Sequence, residues 1–460
     1  MTATDNIRGG GGKESAVRRG LGTVALALLL APTGPAHGRS EADRAAYLAL
    51  LHDGRFDAAQ AALDARPGAV GAEELFFDAF TTYWRLIFDD ENPELQALLE
   101  SQLESAIAAA ESGSAQGGSA HAALWGGTSH LLLAQLRASQ RHPLGAAFEA
   151  KKAKRMLEVA SREGADTSDA LFGLGTYNYM ADTVPSYVKG LRALLFLPKG
   201  NRELGLSQIR EAAEKSRTFG LEARILLVTV YANKHERLYD QAIAERDRMA
   251  REAPPSIATI YAGARLDLSL GRNDASLARL ARAEERAGTL GDVDPVVLRS
   301  IDLLRARAEY ALLRPDLAAV TAERALAAGR GLGPVIKHDL EEIRASSKRE
   351  SQGIEWSRIH EVDQLARAHP DRPLLALLAG DAALRAGRAE EAVDWLAKAS
   401  SSRLPPALDA ACKLRQGQAS DLLGRRPEAL ALYKSAAQTP GFSAKDAALY
   451  YQRAPYRGST

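Results

Sequence analysis

The strongest constraint on this chain is that it repeats. The stretch "LLAGDAALRAGRAEEAVDWLAKAS" recurs as "RQGQASDLLGRRPEALALYKSAAQTPG", with an offset of 37 residues. Gly380, Gly387, Ala392, Leu396 and Ala399 in the first unit answer to Gly417, Gly424, Ala429, Tyr433 and Ala436 in the second. A unit of this size cannot bury its own apolar side, so it stacks on its neighbours. Two antiparallel helices per unit explain the residue types. Small residues sit where the axes come close, glycine makes the tight turn, and a large residue fills the gap between units.

This pattern resembles the tetratricopeptide repeat. Weaker copies lie upstream: Tyr239, Ala242 and Pro254; then Ala264, Gly271, Leu280 and Ala283; and Gly54, Phe56 and Ala59 near the start. The stretch "RARAEYALLRPDLAAVTAERAL" reads as a degenerate copy. The expected fold is all-α, an α-α superhelix of antiparallel helix pairs. An N-terminal array spans 41–330 and C-terminal repeats span 335–451. No strand-like alternation of any length interrupts it, which argues against a βαβ enzyme core. Breaks are expected at Ser112–Ala120, Gly288–Pro295 and Gly329–Pro334, where Gly, Ser and Pro cluster.

The first 38 residues read differently. A polar, basic stretch ends at Arg18-Arg19, an apolar run follows from Leu21 to Ala31, and Ala36-His37-Gly38 fits a small-x-small cleavage site. Eleven apolar residues are too few for a finished span, which needs roughly 20. The reading is a secretory leader directing the chain to a bacterial periplasm or envelope. A twin-arginine signal and a retained anchor stand as alternatives. No cysteine lies near the cleavage site, against a lipoprotein. Up to Gly38 there are four basic and two acidic residues, so the remainder carries 55 basic against 56 acidic. That balance gives no general case for nucleic acid. The single cysteine, Cys412, permits no internal disulfide and reads as a small core residue.

The block Asp169–Gln208 is the least repeat-like. Gly173 precedes Tyr177-Asn178; Pro185 follows, then an apolar stretch to Phe196 and "RELGLSQI" from Arg202 to Ile209. This block resembles one in a eukaryotic family of tetratricopeptide-like proteins associated with inclusion-body clearance and the mitochondrial outer membrane. It is similar also to a block in bacterial envelope proteins. The resemblance implies a helical-repeat protein near a membrane and transfers no catalytic residue. The leader-like start departs from the eukaryotic location. Within the block, residues 184–197 suit a helix with Val184, Tyr187, Val188, Leu191, Leu194 and Leu195 on one face and Ser186, Lys189 and Arg192 on the other. Three readings stand: a helix plugging the superhelix, a membrane-surface helix, or a lid over a ligand. The residues for membrane or ligand contact are Tyr187, Lys189, Leu191, Arg192 and Phe196.

Repeat arrays bind partners on the concave face lined by each unit's first helix. Counting along the repeats, the outward positions there are Tyr231, Lys234, His235, Asp381, Arg385, Gln418 and Asp421. They form a polar set of both charges, without the Lys and Asn pairs of a clamp for a terminal carboxylate. The aromatic peak "LFFDAFTTYWRLIF" (75–88) reads as core, and "KKAKR" (151–155) as a solvated helix face. His360-Glu361 lacks the second histidine of a zinc protease. Asp292 and Asp294 start like a calcium loop, but Pro295 follows. No Gly-x-Ser-x-Gly elbow or phosphate loop is present. No cofactor or metal is expected. The expectation is a non-catalytic scaffold for a protein or peptide partner. Peripheral lipid binding through 184–197 is the alternative. A hydrolase-type site around Tyr177, Asn178 and Asp182 is the remote one.

Overall fold

The structure is a computed structural model that describes residues 40–458 apart from 66–69, 116–118, 165–166, 184–198, 234, 328–331, 353–355, 402–403 and 440–443. The leader-like segment and the amphipathic stretch 184–197 lie outside the described residues. Among those described there are α-helices and one 3-10 turn, and no strand.

The helices pack in consecutive antiparallel pairs. The first half runs α1 (Glu41–His52), α2 (Phe56–Asp64), α3 (Ala72–Phe88), α4 (Pro93–Ala115), α5 (Ser119–Ser139), α6 (Pro143–Arg162), α7 (Thr167–Thr183), α8 (Arg202–Lys215), α9 (Gly220–Ala232) and α10 (Tyr239–Glu252). It continues through α11 (Ile257–Ser269), α12 (Asn273–Leu290), α13 (Pro295–Ala311), α14 (Pro315–Ala327) and α15 (Pro334–Ser351). After the 3-10 turn Trp356–Glu361 come α16 (Val362–Ala368), α17 (Pro373–Arg385), α18 (Ala389–Ser400), α19 (Pro406–Leu422), α20 (Arg426–Ala437) and α21 (Lys445–Arg453).

One turn geometry joins six of these hairpins. Gly54, Arg141, Gly271, Leu313, Gly387 and Gly424 all have φ between 58° and 74°. In each case that residue's N–H bonds the carbonyl three back, and the next N–H bonds the carbonyl five back, as in Gly387 to Leu384 and Arg388 to Ala383. This is the Schellman ending, which satisfies carbonyls left over at a helix C-terminus. The close approaches expected at the other glycines are also present. A Cβ on Gly380 would lie 2.6 Å from Leu396, and one on Gly417 would lie 2.5 Å from the Tyr433 ring. The same 16-residue pairing thus sets the spacing of both C-terminal hairpins.

Two of the expected loops are shorter than their composition suggests. Helix α4 runs on to Ala115, with Ser112 bonding back to the Ala108 carbonyl at 2.9 Å. Helix α12 includes Gly288 and ends at Gly291, whose left-handed φ of 77° closes it. Polar residues there face water from a helix instead of breaking it. The aromatic peak is core: Phe76, Phe77, Phe80, Trp84 and Phe88 are buried. Phe76 packs on Trp125 at 5.0 Å and edge-on to Phe219 at 5.9 Å. In "KKAKR" only Ala153 is buried.

The first helices of neighbouring hairpins contact one another and form the inner layer, as in α3 with α5, α9 with α11, and α17 with α19. That layer also closes on itself. α1 reaches α11, α3 reaches α13, and α21 reaches α11. Asp53 receives both Arg286 donors at 2.6 Å and the Ile257 N–H at 3.2 Å. His52 bonds Glu222 at 2.9 Å, and Ser300 donates to the Phe88 carbonyl at 2.5 Å. On the other side Tyr450 meets Tyr239 edge-on at 5.7 Å, and Arg453 donates to the Arg237 carbonyl at 2.5 Å. No helix among the described residues is long and apolar enough to cross a membrane.

Candidate functional site

Closure of the inner layer corrects the expected outward positions. Tyr231, Asp381 and Gln418 are buried, at 5%, 6% and 4% exposure. Tyr231 packs in the α7–α11 core, its hydroxyl accepting from Arg210 at 2.8 Å. The Asp421 carboxylate is fully buried; it accepts from Arg426 at 2.9 Å, Tyr433 at 2.8 Å and the Tyr456 N–H at 2.8 Å. His235 is exposed in the turn after α9, and Lys234 lies outside the described residues. These positions would face solvent in an open solenoid. Here Tyr231, Asp381, Gln418 and the Asp421 carboxylate are covered by other parts of the chain, whereas His235 and Arg385 do reach solvent.

Three of the seven nevertheless meet. Asp381 and Arg385 at the end of α17 and Gln418 on α19 line one cavity of about 630 Å³. Its far wall comes from more than a hundred residues earlier: Asp267 at the end of α11 and Arg272, Asn273, Asp274 and Arg279 at the start of α12. Its edge is the tail after α21, including Tyr456, Arg457 and Gly458.

The wall is built of ion pairs. The Asp381 carboxylate takes Arg385 Nε at 2.7 Å and Arg415 Nε at 2.5 Å. Arg415 also donates to Gln418 at 3.2 Å and to the Ala311 carbonyl at 3.4 Å, and Arg385 reaches across to Asp274 at 2.8 Å. Asp267, fully buried, is held between Arg246 and Arg279, the latter at 2.7 Å. Burial alone would raise the Asp381 carboxyl, but the charges of Arg415 and Arg385 outweigh it and hold it below the usual carboxylate range. A carboxylate so held stays ionised at neutral pH.

The sequence reading missed Arg272, Arg415 and Arg457. A signal for the first was present. The residue after each of the six left-handed hairpin turn residues is basic: Arg55, His142, Arg272, Arg314, Arg388 and Arg425. Several reach neighbouring structure. Arg55 pairs with Asp292 at 2.6 Å, Arg388 with Glu391 at 2.6 Å, and Arg272 lies 5.9 Å from the Tyr450 ring centroid.

In the central block Tyr177 is buried with Lys154 over its ring at 5.9 Å. Asn178 donates to Gln208 at 2.8 Å, and Asp182 accepts the Arg202 N–H at 3.4 Å. Tyr187, Lys189, Leu191, Arg192 and Phe196 lie outside the described residues. No group of potential metal ligands occurs among the described residues. The chain matches no protein-family model.

Proposed function

We propose that this chain is a non-catalytic helical scaffold of the tetratricopeptide kind, exported to a bacterial cell envelope, where it holds a protein or peptide partner. The observation that carries this reading is the cavity between α11–α12, α17–α19 and the tail. At about 630 Å³ it falls within the range of ligand sites, roughly 300–1,000 Å³. Its charged side chains hold one another in fixed geometry, which suits recognition of charge more than transfer of a proton. The leader-like first 38 residues support export.

The test is a photo-crosslinker placed at Arg457, on the cavity edge, in native cells, with Glu163 on an exposed face as control. The expected result is a defined protein adduct at Arg457 that is missing at Glu163. No protein adduct at Arg457 overturns the reading.

A second reading has its own observation. Met180 on α7 and Leu204 on α8 are 46% and 47% exposed, on either side of the apolar stretch 184–197. Apolar residues presented there favour a membrane-surface contact. The full chain should then float with anionic liposomes, and Leu204→Glu should weaken flotation. Failure to float removes this reading and leaves the first intact.

A further inference from the structure

Charge in the cavity is not balanced. Six arginines and four aspartates line it, a surplus of two positive charges. The internal pairs account for four of the arginines. Arg246 and Arg279 hold Asp267, while Arg385 and Arg415 hold Asp381. Arg272 and Arg457 remain, and neither has a carboxylate within ion-pair distance among the described residues. Arg457 is exposed and Arg272 half-buried.

The cavity is also elongated. A second hollow of about 700 Å³ shares Leu384, Arg385, Arg457 and Gly458 with it and continues over the start of α18, where it adds Arg388, Glu390 and Glu391 and leaves a surplus of one positive charge over the two hollows together. The chain's own residues 454–458 border the first hollow, and Arg457 and Gly458 border both. Ala454 is extended, with φ −119° and ψ 125°, and the Tyr456 N–H donates to Asp421. This trough therefore already accommodates backbone in an extended form.

We infer that the trough binds an extended acidic peptide segment, with side-chain carboxylates on Arg272 and Arg457 and backbone running beside Ala454–Gly458. This rests on the partner-binding reading and names the partner's chemistry. Both cations stand off the hairpins' inner face, one on a hairpin turn and one on the tail. They read side-chain carboxylates along the segment and need no free peptide terminus.

The test uses the full chain and a fluorescein-labelled hexaglutamate, blocked at the C-terminus, followed by anisotropy. Blocked hexaglutamine and hexalysine are the controls. Saturable binding is expected for hexaglutamate alone, weakening with added salt. R272Q with R457Q should weaken it tenfold or more with the thermal melt unchanged. R457Q alone, at an exposed position, should weaken it at least threefold and covers the case in which Arg272 is needed for folding. No binding of hexaglutamate, or equal binding by the double variant, overturns the proposal. Displacement by free succinate at a concentration comparable with the peptide also overturns it, in favour of a small dicarboxylate. A protein captured at Arg457 while hexaglutamate fails leaves the scaffold reading standing without this partner chemistry.

Discussion

At the scale of single residues, the repeat depends on one backbone conformation. Six hairpins need a left-handed residue at the same point, and four of them have glycine there. Arg141 and Leu313 adopt the conformation with a side chain, which costs roughly 1–2 kcal/mol against the right-handed region. Arg141 is exposed, so Arg141→Gly gives up little packing. Part of the gain is lost to glycine's freedom in the unfolded chain, roughly 0.5–1 kcal/mol. The substitution should therefore stabilise by about 0.5 kcal/mol, read as a higher urea midpoint, and Gly387→Ala should lower the midpoint. The same conformation explains what could be read in advance. Units carrying Gly54, Gly271, Gly387 and Gly424 were recognisable, and the unit turning at Leu313 looked degenerate because its signature residue is absent. Cys412 illustrates the converse, a position legible from pattern alone. It is fully buried, and burial pushes its thiol up to about 11 against a bond to Ser400. Iodoacetamide at pH 8 should leave it unmodified in the native chain and alkylate it in urea.

At the scale of elements, helices are held to their neighbours by buried charge as well as by apolar contact. Asp381 joins α17 to α19 through Arg415 and steadies Arg385 on its own helix. Asp381→Ala leaves the buried Arg415 guanidinium without a carboxylate, while Arg385 keeps Asp274, and breaking such a buried pair costs roughly 3–5 kcal/mol. Because its folded carboxyl sits below the unfolded value, its contribution is present above about pH 4 and is lost as the pH falls further. A second titration acts nearer neutrality. His130, between α5 and α6, is 1% exposed and lies 2.6 Å from Glu149, which also receives Arg137 at 2.9 Å. Burial pushes the imidazole below its ordinary range, despite the opposing pull of Glu149. The unfolded chain then takes up this proton more readily than the folded one. Stability from this group is complete above about pH 6.5 and falls as the pH drops. The urea midpoint should be lower at pH 5 than at pH 7.5, and the gap should narrow in His130→Gln. Apart from the i,i+4 pair Asp381–Arg385, spacing could reveal none of these pairs, since the partners sit on different helices with no fixed interval between them.

At the scale of the whole molecule, the solenoid was legible and its closure was not. Hairpin stacking follows from a local period, whereas the contacts that close the inner layer join residues 170 to 244 positions apart and leave no period in the sequence. Tyr231, Asp381 and Gln418, assigned to a solvent-facing concave side, are buried, and the Asp381–Arg385 pair reaches Asp274 on a segment more than a hundred residues earlier. The cavity escaped detection because its two walls belong to different parts of the array. Closure should change how the protein unfolds. In an open solenoid each unit contacts only its neighbours, and the ends fray independently. Here α1 is tied to α11 and α12 through Asp53, which accepts from Arg286 and from the Ile257 N–H. Asp53→Ala removes these charge-assisted bonds, each worth roughly 1.5–3 kcal/mol when made to a charged group. Amide exchange in α1–α3 of the wild-type chain should run at the same opening free energy as in α11–α13. In Asp53→Ala the α1–α3 amides should exchange at an opening free energy about 2 kcal/mol lower, ahead of those in α11–α13. Equal loss of protection in both regions would mean that the molecule still opens as one body and that this contact does not join its ends to its middle.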